Sequence, residues 1–267
     1  MKNFNYLSKR TLIFFGFFFF ASSYVQMKAA NYTWTGNIST SWSLDSNWSP
    51  IGVPGINDNV TIVTGSNQVY LNGNISITNF TLTSGTFNLQ GYSFTVKGTP
   101  TLNGGTVTNG KFFIAGTSTA TFNNTHIVSW ASITANSIFL TLSTFDDSIK
   151  FVKKGTSPNV SKGGNIFNGF VSIIDSSSGP LIFADSLPDT FNSSIQVGGT
   201  STGYVYLAHR AQGNIFNGVV TVNYGAVVFN QYGTANFNNN IVLNCAGSGP
   251  SNGVIFGSST GSSTLAT

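Results

Sequence analysis

Glutamate is absent from this 267-residue chain, and all seven acidic residues are Asp. Charged residues of either sign make up only 7% of the sequence, against roughly 25% in ordinary soluble domains. Helices draw on Glu, Lys, Ala and Leu. Their scarcity beside abundant Thr, Ser, Asn, Gly and Phe argues against a helical protein and for strands and turns. Cysteine occurs once, at Cys245, which excludes an intrachain disulfide, and the chain is long enough to bury a core without one. Cys245 is far from the N-terminus, so lipid attachment at a mature N-terminal Cys is excluded too. Its place after Ile241-Val242-Leu243 reads as a small buried apolar residue with no activating base beside it. Basic runs are also missing. Lys2, Lys9, Arg10 and Lys28 supply the formal charge of +4, and the remainder carries seven basic residues against seven Asp. That balance gives no reason to expect nucleic acid or an anionic membrane as partner.

What is present begins with a three-part leader. Met1 to Arg10 is polar and basic, Thr11 to Ala21 is apolar around Phe14-Phe15-Gly16-Phe17-Phe18-Phe19-Phe20, and small residues follow at Ala21-Ser22-Ser23 and Ala29-Ala30. This is the pattern of a secretory signal peptide, assigned to residues 1–30, with cleavage after Ser23 or near Ala30. An N-terminal membrane anchor is the alternative, but the apolar stretch is short for a bilayer, and no later segment could span one.

A Phe-centred phrase then recurs: Thr121-Phe122-Asn123, Thr144-Phe145-Asp146, Ile166-Phe167-Asn168, Thr190-Phe191-Asn192, Ile215-Phe216-Asn217 and Asn236-Phe237-Asn238, at steps of 23, 22, 24, 25 and 21. Side chains alternate along a strand, so positions four and six after each Phe should share a face. They are His126, Ile149, Val171, Ile195, Val220 and Ile241, then Val128, Phe151, Ile173, Val197, Val222 and Leu243. Eleven of the twelve are apolar, where composition alone would give about five. A second strand follows in most units: Leu181-Ile182-Phe183, Val205-Tyr206-Leu207, Val227-Val228-Phe229 and Val254-Ile255-Phe256. The Phe145 unit has a polar loop there instead, Lys153 to Gly164. Two short strands per unit cannot bury a face alone, whereas stacked units build a continuous core with Phe-on-Phe and Asn-on-Asn ladders. The ladder is expected at Phe122, Phe145, Phe167, Phe191, Phe216 and Phe237.

Residues 60 to 115 show a looser version of the same rhythm, as in Val60-Thr61-Ile62, Phe80-Thr81-Leu82 and Phe94-Thr95-Val96, with Gly at the corners between. The predicted architecture is therefore all-β: a right-handed parallel β-helix, or β-solenoid, over residues 60–267. About nine coils, each rising ~4.8 Å, would make a rod roughly 40 Å long. One or two Ig-like sandwiches are the rival, but sandwich strands differ from one another and these units match position by position. Residues 31–59 hold Trp34, Trp42 and Trp48. They are expected to cap the first coil, the alternative being a Trp platform for sugar rings. At the other end Ala266-Thr267 resembles the run-up to a further Phe, which predicts a truncated or partial array.

The opening Trp34, Trp42, Asn47-Trp48, Pro54 and Asp58-Asn59-Val60 resembles the start of large secreted bacterial β-helical proteins. Gly164-Asn165-Ile166-Phe167-Asn168-Gly169 and Gly213-Asn214-Ile215-Phe216-Asn217-Gly218, with Tyr206-Leu207-Ala208-His209 between, resemble repeats of surface proteins from gliding, type IX-secreting bacteria. The resemblance covers nearly the whole chain after the leader, but its motifs mark architecture. It implies an adhesin-like or cell-surface repeat protein. Such proteins usually end in a β-sandwich sorting domain, which is not found here.

Parallel β-helices also host polysaccharide lyases and hydrolases, and glycoside hydrolysis needs two carboxylates flanking a cleft. Asp146-Asp147 is the best pair, with Asp175, Asp185 and Asp189 as further acids. Asp146, however, stands where the other units have Asn, as a variant of the ladder, and Asp185 and Asp189 sit in a turn-like stretch. His126 and His209 have no neighbours at metal-ligand spacing, and His209-Arg210 reads as a solvated corner. Sequons such as Asn74-Ile75-Ser76 and Asn79-Phe80-Thr81 arise by chance in an Asn- and Thr-rich chain. The sequence thus predicts a noncatalytic, exported β-helical repeat protein, extracellular or on the outer cell surface, with no cofactor and no metal. Its role would be adhesion or an extracellular matrix, and its partners extracellular glycans or surface proteins. The alternative is a carbohydrate-active enzyme or carbohydrate-binding module on the same scaffold.

Overall fold

A computed structural model describes residues 28–63, 67–199, 203–223, 226–244, 253–257 and 262–265. The leader's first 27 residues, Cys245 and Ala266-Thr267 lie outside the described residues. The chain winds as a parallel β-solenoid of about nine turns with no α-helix among the described residues.

Each turn lays one strand on each of three faces. A typical turn runs through Asn79–Leu82, Thr86–Asn88 and Ser93–Val96. Alternation along these strands turns Phe80, Leu82, Phe87, Phe94 and Val96 inward, all fully buried, while the intervening Thr and Ser face out. Burying each such side chain stabilises the winding by ~1.5–3 kcal/mol, but only when turns above and below complete the core. The second face is one ten-stranded sheet and the third a nine-stranded sheet. The first face begins as a seven-stranded sheet and resumes as a five-stranded one.

The break in the first face falls in the expected Lys153–Gly164 loop, which contains a two-residue strand, Asn159–Val160, paired with Leu181–Ile182. Its inward positions are polar, so an apolar pattern could not reveal it. Asn159 Oδ1 accepts from the Ile138 N–H at 3.3 Å and Ser161 Oγ accepts from the Leu140 N–H at 3.1 Å. Two side chains thus replace the missing backbone ladder and satisfy the edge of the lower sheet.

The repeated unit has three strands where the sequence predicted two. The Phe of each phrase sits on its own short second-face strand, such as Thr144–Phe145 or Thr190–Phe191. Phe145, Phe167, Phe191, Phe216 and Phe237 stand in direct register, with successive rings stacked at 5.1, 4.7, 4.8 and 4.8 Å. Phe122 is not in that column. It lies on the first face, paired with Leu102 and Leu140, and the residue beneath Phe145 is Ile127. A Phe-Asn pair can close a strand on either face, and the Thr121-Phe122-Asn123 phrase closes the wrong one. The same slip explains why His126 broke the apolar pattern. The residues that pair with Ile149 and Phe151 are Ala131 and Ile133, both buried.

Glycine in the Asn-Gly corners is a backbone requirement. A Cβ on Gly169 would lie 2.3 Å from the Asp147 carbonyl carbon, and one on Gly218 would lie 2.2 Å from that of Ser193. Each corner rests directly on the one below.

At the N-terminal end Asn31–Trp34 pairs parallel with Asn59–Ile62 and antiparallel with Trp48–Ser49. Trp34, Trp42 and Trp48 are buried, and their rings meet edge to face, at 4.9 Å for Trp34–Trp48 and 4.6 Å for Trp42–Trp48. Trp42 also stacks on Phe87 of the second turn at 5.7 Å. These rings plug the core, so none is free to serve as a sugar platform.

Candidate functional site

An amide ladder runs along the corner after the second face. Asn168 Nδ2 donates to Asp146 Oδ1 at 2.7 Å, Asn192 to Asn168 at 2.7 Å, Asn217 to Asn192 at 2.9 Å and Asn238 to Asn217 at 2.7 Å. The register that stacks the Phe rings places the next residue of each phrase on the outer side of the corner. At the lower end His126 Nε2 lies 2.6 Å from Asp146 Oδ2. Partial burial works against the Asp146 charge, but hydrogen bonds from Asn168 and then His126 outweigh it and hold the carboxyl below the usual range. Asp147 turns away and accepts from the Ser148 N–H at 2.6 Å. The two adjacent acids therefore have separate partners.

A second stack occupies the corner after the first face. Ala184, Ala208 and Asn230 adopt positive φ of 53, 59 and 56°, so three successive turns bend alike there. The following residues are superposed: His209 Nδ1 lies 2.9 Å from Asp185 Oδ1, and His209 Nε2 lies 2.8 Å from Gln231 Oε1. Tyr206 and Tyr232 flank the imidazole at 5.2 and 5.8 Å, and the Arg210 guanidinium sits 5.7 Å over the Tyr232 ring. Arg210 is solvated, but His209 is only 7% exposed, which corrects the expected open corner. Both ring nitrogens are engaged, so His209 has no free lone pair with which to act as a general base.

Two further polar sets are enclosed. Lys153 Nζ donates to Ser177 Oγ at 2.7 Å and to the Gly155 carbonyl, while the Ser177 hydroxyl and N–H bond Asp175 Oδ1 at 2.8 and 2.9 Å. Burial pushes the Lys153 ammonium down and the Asp175 carboxyl up. Lys, Ser and Asp in contact is a nucleophile's chemistry, but all three are buried, so no substrate face is available and the set pins a corner. The other set is a column beneath the second face. The Thr125 N–H donates to Ser143 Oγ, the Ser143 N–H to Asn165 Oδ1, the Asn165 N–H to Asp189 Oδ1 and the Asp189 N–H to Asn214 Oδ1. Burial pushes the Asp189 carboxyl up to about 7, against the pull of the Asn165 bonds.

Sequence reasoning singled out Asp146, Asp147, Asp175, Asp185, Asp189 and both histidines but not these groupings. Asp175 follows Lys153 by 22 residues and His209 follows Asp185 by 24, the same steps that separate Phe145, Phe167 and Phe191. Applying the repeat step to polar residues would have brought them together.

Among the described residues no group of three His, Cys, Asp or Glu side chains could hold a metal, and no helix is long and apolar enough to cross a membrane. A scan against protein-family models, a search of curated proteins and a search of solved structures return no match for this chain.

Proposed function

We propose that this chain is a noncatalytic, exported repeat protein, extracellular or on the outer cell surface, that serves adhesion or an extracellular matrix. One observation carries the reading: the adjacent Asp146 and Asp147 turn to different partners, and Asp175, Asp185 and Asp189 are each tied to a partner of their own. A glycosidase needs two carboxylates facing one cleft, one of them free to give a proton. The surface offers repetition instead, with amides and hydroxyls presented at regular intervals along a rigid rod, which suits multivalent attachment. The three-part leader supports export. The resemblance to surface repeat proteins of type IX-secreting bacteria supports the setting, and extracellular glycans or surface proteins are the partners that such a surface fits.

The test is to screen the purified chain without residues 1–30 against glycan and surface-protein arrays while measuring reducing-sugar release. Retention on an array without sugar release is the expected result. Sugar release that disappears in Asp147→Ala would overturn the reading in favour of an enzyme.

A further inference from the structure

Beside the Trp plug, a cavity of about 330 Å³ opens between the cap segment and the first two turns. The cap contributes Thr40 and Ser41 to its lining, the first turn Tyr70, Leu71 and Asn72, and the second turn Gln90 and Tyr92. Its volume is at the low end of small-molecule sites, roughly 300–1,000 Å³. No charged residue lines it.

Three features hold the backbone and the Asn72 amide around this cavity in place. The cap is laced to the first turn by the Tyr70 N–H donating to the Thr40 carbonyl at 2.7 Å and the Trp42 N–H to the Tyr70 carbonyl at 2.9 Å. Asn72 Oδ1 accepts from Ser41 Oγ at 2.9 Å and from the Ser43 N–H and hydroxyl at 3.3 Å, which fixes the amide and leaves its Nδ2 donor unused. Gln90 and Tyr92 stand on a tight turn with φ of 53° at Gln90 and 82° at Gly91, closed by the Tyr92 N–H donating to the Leu89 carbonyl at 2.8 Å. The Tyr70 and Tyr92 phenols and the Gln90 side-chain amide make no hydrogen bond to another described residue, and Tyr92 is 39% exposed.

We propose that this cavity binds a neutral saccharide unit, with the Tyr92 and Tyr70 rings against its C–H faces and the Asn72 and Gln90 amides on its hydroxyls. A sugar ring is apolar on its faces and polar around its rim, and an aromatic ring that carries a hydroxyl beside a free amide matches both. The absence of Lys, Arg and His from the lining disfavours uronic, sialic and sulfated sugars. A peptide would need an open strand edge or a terminal-charge partner, and here Val69–Tyr70 pairs on one side with Thr86–Asn88 and is bridged on the other to Ser41 of the cap. A backbone and an amide held in this way reduce the ordering cost of binding a small, flexible ligand.

This inference rests on the attachment reading but can fail separately from it. The experiment titrates the leaderless chain by calorimetry with hexasaccharides of glucose, mannose, xylose and N-acetylglucosamine, and with oligogalacturonate as the anionic comparison. At least one neutral hexasaccharide should bind. Tyr92→Ala should weaken it about tenfold or more, the effect of losing one central aromatic contact. Tyr92→Phe should keep most of the affinity and guards against a folding defect, and Tyr232→Ala, at the far corner, should change nothing. Binding that survives Tyr92→Ala but not Tyr232→Ala would overturn the cavity and leave glycan attachment standing. Binding of oligogalacturonate alone, or of no sugar, would overturn the saccharide assignment, while retention on the surface-protein array would keep the attachment reading.

Discussion

The turns up to Ile127 and those from Phe145 onward obey one winding rule with different sequences. In the lower second-face column the residues are Val69, Phe87, Val107 and Ile127, large alternating with small. In the upper column they are Phe145, Phe167, Phe191, Phe216 and Phe237. Lower aromatic contacts are mostly edge to face across the core, as for Phe87–Phe94 at 88°, whereas the upper Phe rings lie within 5–10° of parallel. The fold asks only for apolar volume at an inward position. Repeating the same residue adds something else, because parallel strands sit ~4.8 Å apart and identical rings or amides then meet at contact distance. Volume complementarity and side-chain laddering are thus two solutions to one packing problem, joined at the Asn159–Ser161 splice.

The largest expected effect separates those solutions. Phe191→Ala removes a ring stacked on both sides and should cost about 3–5 kcal/mol, with a cavity that rigid turns cannot close. Ile127→Val, in the lower part of the same column, should cost only about 0.5–1.5 kcal/mol. Because each turn touches only its neighbours, the Phe191 loss should appear locally. Hydrogen exchange should quicken in Thr190–Phe191 and Asn214–Phe216 and remain slow in Thr106–Thr108. Equal acceleration in all three would mean that the rod unfolds as one unit, and the contrast between regions would lose its energetic meaning.

Next in size is the buried column, where Asp189 is the only ionisable member. Its carboxyl rises from 3.8 to about 7 on folding, which at 1.36 kcal/mol per unit is roughly 4 kcal/mol. The unfolded chain releases this proton near pH 4 and the folded chain holds it until about pH 7. Between those limits the folded state binds more protons, so stability must fall as pH rises and level off above about 7. Asp189→Asn matches the residues above and below, Asn214 and Asn165, and should raise stability at pH 8 by a few kcal/mol while flattening that slope. Denaturant midpoints at pH 4, 6 and 8 decide it. A variant that keeps the wild-type slope would show that the decline comes from another group.

The same contrast governs what was legible in the sequence. The upper turns announced themselves because one phrase recurs, and the parallel solenoid followed from it. The lower turns were visible only as alternation, so Phe122 was placed one face away from its true position. The third strand of each turn was missed because second-face strands such as Ile166–Phe167 are two residues long, too short for alternation to register. Asn159 and Ser161 were invisible as strand because their inward side chains are polar and serve the sheet edge. The polar corner sets were missed for a different reason: hydropathy carries no information on which polar residues share a level, and only the repeat step does. The Tyr70–Tyr92 cavity depends on a cap and a corner meeting, which no periodicity encodes.

The smallest expected effect lies where the regions meet, at the foot of the amide ladder. His126 and Asp146 have side chains 44% and 35% exposed, so their contact should contribute less than about 1 kcal/mol and weaken with salt. The Asp146 carboxyl sits below its unfolded value, so its contribution is present above about pH 4 and lost as pH falls through the folded value. His126→Ala removes one of the bonds that lower it, leaving Asn168 as the other partner. The carboxyl pKa measured by NMR should rise in the variant, and the acid-side loss of stability should shrink with it, while midpoints at pH 7 shift little. An Asp146 titration unmoved by the substitution would mean that the column starts at Asp146. The lower region would then contribute no polar contact to the upper ladder, and the polar joints between the two packing schemes would be the splice at Asn159 and the Ser143–Asn165 step of the buried column.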